Sequence, residues 1–180
     1  GDSGAGKSLC LTAMGIAAAR QGHRTAHFQL EGTKEQCLNR YDAAWTGTLY
    51  QDVKLGNIPD KKMEVTKRIV KKLHKSDIIV ISEEEWGGKS LNDIRGELKE
   101  IEKIYGKVDV IVIDYLELVE VGDGIRYSPS EERFRQAKLA KGMKNLAMEF
   151  NAVVHTATQS SSIDEEKRND PEFVITRAQL

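Results

Sequence analysis

The sequence predicts an α/β fold built on a mainly parallel sheet with helices on both faces. Three observations predict it. The apolar runs DIIVIS, VDVIVIDYLELV and AVVHTATQ suit strands buried on both sides better than helices. Stretches of helical length and periodicity separate them. The chain also opens on GDSGAGKS, a glycine-rich turn that leads directly into helix-forming sequence.

Each element follows from its own residues. SLCLTAMGIAAARQ, from Ser8 to Gln21, is rich in Ala, Leu and Met, lacks proline and stops at Gly22, which predicts a helix. RTAHFQL carries aromatic and β-branched residues between Gly22 and Gly32, predicting a short strand that ends in Glu31. TKEQCLNRYDAAW predicts a helix with Thr33 as N-cap and Gln36 in capping-box position. Gly47, Gly56 and Pro59 mark 46–59 as a connection, and MEVTKRIVKKLHK then predicts an amphipathic helix with a solvated basic face. DIIVIS is the next strand, and SLNDIRGELKEIEKIYG a capped amphipathic helix. VDVIVIDYLELV, a polar loop, the helical EERFRQAKLAKGMKNLAMEFN and the strand AVVHTATQ complete the alternation before the polar loop SSSIDEEKRNDPE. Internal repeats and low-complexity segments are absent from the sequence.

The chain of 180 residues has the length of one domain. Its 27 basic and 28 acidic side chains nearly cancel, so bulk charge offers no argument for a nucleic-acid partner, although a local basic stripe is compatible with that total. Cys10 and Cys37 lack metal-ligand spacing and are too few for a disulfide framework, which fits a reducing compartment. No run approaches the about 18 apolar residues of a membrane span, and the opening residues do not resemble a secretion signal. A soluble, intracellular protein without membrane association is expected. A phosphate-binding loop is launched from a buried strand, and sheets of this class carry further strands, so residues 1–180 are expected to form one partial domain lacking its first strand and its C-terminal strands.

GDSGAGKS fits G-x-x-x-x-G-K-[ST] completely, with Gly1, Gly6, Lys7 and Ser8 in the fixed positions. Glycines let successive backbone N–H groups turn inward around phosphates, and the helix start adds partial positive charge. The expected nucleotide contacts are therefore Gly1, Asp2, Ser3, Gly4, Ala5, Gly6, Lys7, Ser8 and Leu9, for ATP with Mg2+. Lys7 supplies a point charge on the phosphates, and the Ser8 hydroxyl a magnesium ligand. Asp114 ends an apolar strand, which puts it at the carboxyl edge where α/β sheets bind ligands and suits it to the magnesium side of the site.

Two readings of Glu31 stand at this point. At the same sheet edge it is suited to activating water against the γ-phosphate, and before a helix it is equally suited to a favourable interaction with the helix dipole. Gln159, at the tip of AVVHTATQ, reads either as a sensor of the γ-phosphate or as a polar strand terminus. His155 reads as a satisfied core histidine, and Glu83, Glu84 and Glu85 before Trp86 as a solvated acidic turn.

Taken in order, GDSGAGKS, HFQLEGTKEQCLNR, VIVIDYLELV and KGMKNLAMEFNAVVHTATQS resemble the RecA-like ATPase domain of DnaB-type replicative helicases, phage forms included. HFQLE is similar to that family's F-S-L-E-M and VIVIDYLELV to its I-D-Y-L-Q-L. The resemblance implies a RecA-like P-loop NTPase core, with Glu31 as catalytic base, Asp114 as the magnesium-side carboxylate and Gln159 as γ-phosphate sensor. It further implies a homo-oligomer in the form of a hexameric ring with ATP at subunit boundaries, single-stranded or forked DNA, primase and helicase loader as partners, and the cytoplasm of a bacterium or phage-infected cell. DNA contact would then fall to GDGIRYSPS, with Arg126, and to the segment from Ser160 to Gln179, with Lys167, Arg168 and Arg177. HTATQSSS departs from the family's Leu-Ser-Gln-Leu-Asn-Arg and lacks the arginine after the glutamine. Two functions remain open: a motor that translocates on single-stranded DNA and unwinds duplex, and a recombinational or regulatory ATPase in which ATP gates assembly on DNA.

Overall fold

The computed structural model describes residues 6–72, 77–83 and 87–158. Four parallel strands pair in the order β2-β1-β3-β4: β1 (Thr25–Gln29), β2 (Ile78–Ser82), β3 (Val110–Asp114) and β4 (Val153–Thr156). The helices are α1 (Lys7–Arg20), α2 (Lys34–Thr46), α3 (Tyr50–Lys54), α4 (Asp60–Lys72), α5 (Leu91–Tyr105) and α6 (Glu132–Glu149). Parallel strands need crossovers, and helices supply them here on both faces.

Period-two alternation sorts the central strands onto those faces. Ala26, Phe28, Ile111 and Ile113 face one core with Leu91, Ile94, Leu98 and Ile101 of α5 and Leu139, Met143 and Leu146 of α6. The four α5 residues recur at helical spacing, and burying each stabilises by about 2 kcal/mol before entropy is counted, which anchors a helix that is otherwise charged. Val110 and Val112 face the other way, onto Leu11 and Ala18 of α1, while Val80 meets Ile16, Cys37 and Tyr41 from α1 and α2. The face under α1 also carries Thr25, His27 and Gln29, all buried. His27 Nδ1 lies 2.7 Å from the Tyr41 hydroxyl, and burial, with the Arg40 charge adding, lowers its pKa to about 3.

The expected helices and strands are all present, with local differences. Thr33 caps α2 reciprocally with Gln36, as its spacing predicts, and Ser90 caps α5 with Asp93 in the same way. β1 stops at Gln29, two residues short of Glu31, because Gly32 (φ 83°) turns the chain into the Thr33 cap. The connection 46–59 contains α3, whose five residues are too few to register as a period. α4 begins at Asp60, where the Pro59 carbonyl accepts from the N–H groups of Lys62 and Met63. β4 is only half-buried, with Val153 54% exposed, so two-sided burial holds for β1 and β3 but not for this outer strand. Among the described residues, no helix is long and apolar enough to cross a membrane.

Candidate nucleotide site

α1 starts on Gly6, whose left-handed conformation (φ 79°) favours glycine and lets the chain enter the helix without a side-chain cap. No acidic residue occupies the first turn of α1, so the partial positive charge of its exposed amide groups is not neutralised there. Lys7 and Ser8 are half-buried in this turn. The Ser8 carbonyl accepts from the buried Thr12 hydroxyl at 2.8 Å, and the Leu9 side chain is exposed.

Register brings the other elements to the same edge. Ser82, Gln29 and Asp114 lie side by side at the carboxyl ends of β2, β1 and β3. All three are buried, and Ser82 Oγ, Gln29 Oε1 and Asp114 Oδ1 have no hydrogen-bond partner among the described residues. Asp114 Oδ2 lies 3.5 Å from Gln29 Nε2, and the Asp114 carbonyl accepts from the Leu30 N–H at 3.0 Å. Gln29 also donates through Nε2 to the Glu31 carbonyl. The cis peptide from Asp114 leads to Tyr115, and Lys7 Nζ sits 4.3 Å from the centroid of that ring. Burial pushes the Tyr115 phenol up, with the charges of Glu31, Glu117 and Asp114 adding.

Lys7, Ser8 and Asp114 thus belong to elements that meet at one sheet edge, which the Glu31 carbonyl reaches through its bond from Gln29. An unpartnered buried carboxylate oxygen is the donor chemistry that a hard cation such as Mg2+ takes. Gly1, Asp2, Ser3, Gly4 and Ala5 lie outside the described residues, as do Gln159, Lys167, Arg168 and Arg177. A profile of the DnaB-like helicase C terminal domain family matches residues 1–174.

The chain belongs to this DnaB-like helicase family. A curated relative from Guillardia theta, "Probable replicative DNA helicase", is 25% identical over 134 residues, which are 74% of this chain and 21% of the relative. The chain therefore spans about a fifth of that relative's length. Among solved structures, "The Structure Of A DnaB-Like Replicative Helicase And Its Interactions With Primase" superposes with TM-score 0.69 at 15% identity over 96% of this chain and 39% of that one. A second solved structure, described as an ATPase domain, superposes with TM-score 0.69 at 16% identity, over 96% of this chain and 58% of that one. These likenesses establish the RecA-like fold of DnaB-type ATPase domains.

Within that fold, Arg126 is exposed on the loop between β3 and α6, remote in sequence from the start of α1. Asp123 braces this loop by accepting from Tyr127 and from Lys138 Nζ at 2.9 Å, and those bonds hold its carboxyl down at about 2. His155 is half-buried on β4. Glu83 pairs with Lys89 at 2.6 Å, while Glu84, Glu85 and Trp86 lie outside the described residues. No group of three or more His, Cys, Asp or Glu suited to a metal occurs among the described residues. Sequence reasoning passed over Gln29, Ser82 and Tyr115. For Gln29 a signal existed: Thr25, His27 and Gln29 are polar at alternate positions of a strand whose other residues are apolar.

Proposed function

We propose that residues 1–180 belong to the ATP-hydrolysing motor core of a replicative DNA helicase, which acts as a hexameric ring on single-stranded or forked DNA in the cytoplasm. The observation that carries this reading is the meeting of Lys7, at the start of α1, with Tyr115, the residue after Asp114 on β3. A phosphate-binding helix start and a buried strand-end carboxylate then serve one substrate, and the family of the chain favours ATP over other phosphates.

In this reading the amides of 1–6 and the Lys7 ammonium hold the β- and γ-phosphates, with Gly1, Asp2, Ser3, Gly4, Ala5, Gly6, Ser8 and Leu9 as the nucleotide shell. Ser8 and Asp114 would hold Mg2+, which when bound offsets phosphate charge. Glu31 accepts the proton of the attacking water, and its exposed position leaves it open to that water. Gln159 reports the state of the γ-phosphate to the segment that follows it. Arg126, Lys167, Arg168 and Arg177 contact DNA phosphates in the channel, where several subunits converge. A structural relative is described with primase, and we extend primase, together with a helicase loader, to this chain as partner classes.

The test is ATP hydrolysis by the full-length protein with and without single-stranded DNA, for wild type, Lys7→Ala, Glu31→Gln and Asp114→Asn. DNA should stimulate the wild type. Glu31→Gln should lower turnover by about 10² to 10⁴ while still binding nucleotide. Lack of DNA stimulation, or normal hydrolysis by Glu31→Gln, would overturn the motor reading in favour of a regulatory ATPase.

A further inference from the structure

We infer that Gln29 is a positioning residue whose buried amide fixes the Asp114 carboxylate relative to the segment bearing Glu31. The inference rests on the hydrolytic reading given above and assigns to that site a residue with no direct part in the chemistry.

Gln29 is 1% exposed, and the β1 face that it shares with Thr25 and His27 looks toward α1 and α2, not toward the apolar core on the other side. Burying a primary amide is unfavourable unless its groups are hydrogen-bonded, and an apolar side chain of equal size would fill the position without that cost. The amide is aimed at the two places where the proposed chemistry needs rigidity. Nε2 donates to the Glu31 carbonyl and faces Asp114 Oδ2 at 3.5 Å. Asp114 and Gln29 are paired in register, so the ladder holds their backbones in place and the amide holds the carboxylate rotamer.

The Gln29 Oε1 atom is buried without a partner among the described residues, as are Asp114 Oδ1 and Ser82 Oγ in the same row. Two unpartnered acceptors and a hydroxyl at one sheet edge form a surface that attracts the donor hydrogens of metal-bound water. Gln29 therefore acts through Asp114 on magnesium affinity and through the Glu31 backbone on turnover.

The experiment uses the full-length protein and two variants, Gln29→Met, which keeps the volume and removes the amide, and Gln29→Ser, which keeps a small polar group if the first does not fold. Circular dichroism melts establish folding. Binding of a fluorescent, non-hydrolysable ATP analogue is titrated with Mg2+, and kcat is measured separately. The expected result is a rise of about 10- to 100-fold in the Mg2+ half-saturation and a comparable fall in kcat, with analogue affinity at saturating Mg2+ within about threefold. A folded variant with unchanged Mg2+ half-saturation and kcat overturns the inference. Asp114→Asn separates the two levels. If it loses Mg2+ response while Gln29 variants do not, only the role of Gln29 fails. If it behaves as wild type, the hydrolytic reading fails and takes this inference with it.

Discussion

Lys7 Nζ lies 4.3 Å from the centroid of the Tyr115 ring, so the first residue of α1 rests on the residue that follows the strand-end aspartate. A cation over an aromatic face contributes about 0.5 to 2 kcal/mol, more as the pair is desolvated, and Tyr115 is largely buried. On the proposed function, Lys7 gives up some of that contact to reach a phosphate. Tyr115→Leu is therefore expected to tighten ATP binding by about two- to tenfold, and Tyr115→Phe, which keeps the ring face, to leave it unchanged. Calorimetric titration of the two variants checks this, and equal affinities would remove the ring from the account.

The parts of this fold that depend on local chemistry were legible in the sequence. Thr33 and Gln36 close a capping box across three residues, and the apolar runs around Ile111 and Ile79 are strands whatever their neighbours. GDSGAGKS reads as a phosphate loop because its composition follows from what backbone must do around a phosphate, and its first five residues lie outside the described residues. Gln29 was not legible, because its partner Asp114 is 85 residues away and the two meet only through strand register. The Lys7–Tyr115 contact has the same long-range character. The expected strand end at Glu31 lies two residues beyond the last ladder residue, Gln29, since the apolar pattern continues through Leu30.

His27 makes stability depend on pH in a defined direction. Its folded pKa is lowered from 6.5 to about 3 by burial first and the Arg40 charge second. Above 6.5 the ring is neutral in both states and contributes no pH dependence. Below 6.5 the unfolded chain takes a proton that the folded chain refuses until about pH 3, so stability falls as pH falls through that window. The slope from this group is at most about 1.4 kcal/mol per pH unit. His27→Gln, which does not titrate, is expected to show a flatter dependence than wild type in urea unfolding at pH 6.5 and 5. Parallel profiles for the two proteins would exclude His27 as the source.

Arg135 ties the segment after β3 to the first turns of α6, and the geometry requires a guanidinium. Nη1 donates to the Val119 carbonyl at 3.1 Å and Nη2 to the Glu117 carbonyl at 3.3 Å, while Nε and Nη2 donate to the Glu132 carboxylate at 2.9 and 2.8 Å. The Glu132 carboxyl is held below its usual range, chiefly by these bonds. A lysine offers one charged centre in place of this planar fork and cannot satisfy both carbonyls and the carboxylate together. Arg135→Lys is expected to cost about 1.5 to 3 kcal/mol, because hydrogen bonds to a charged, half-buried group are lost. Amide exchange should quicken in 116–124, which leads from the Asp114 corner to the Arg126 loop and accepts two of these bonds, more than in α5. If Arg126 engages DNA, the same variant should weaken DNA stimulation of hydrolysis more than basal turnover. Uniform exchange across both segments would mean that Arg135 stabilises the fold as a whole without holding this segment in particular.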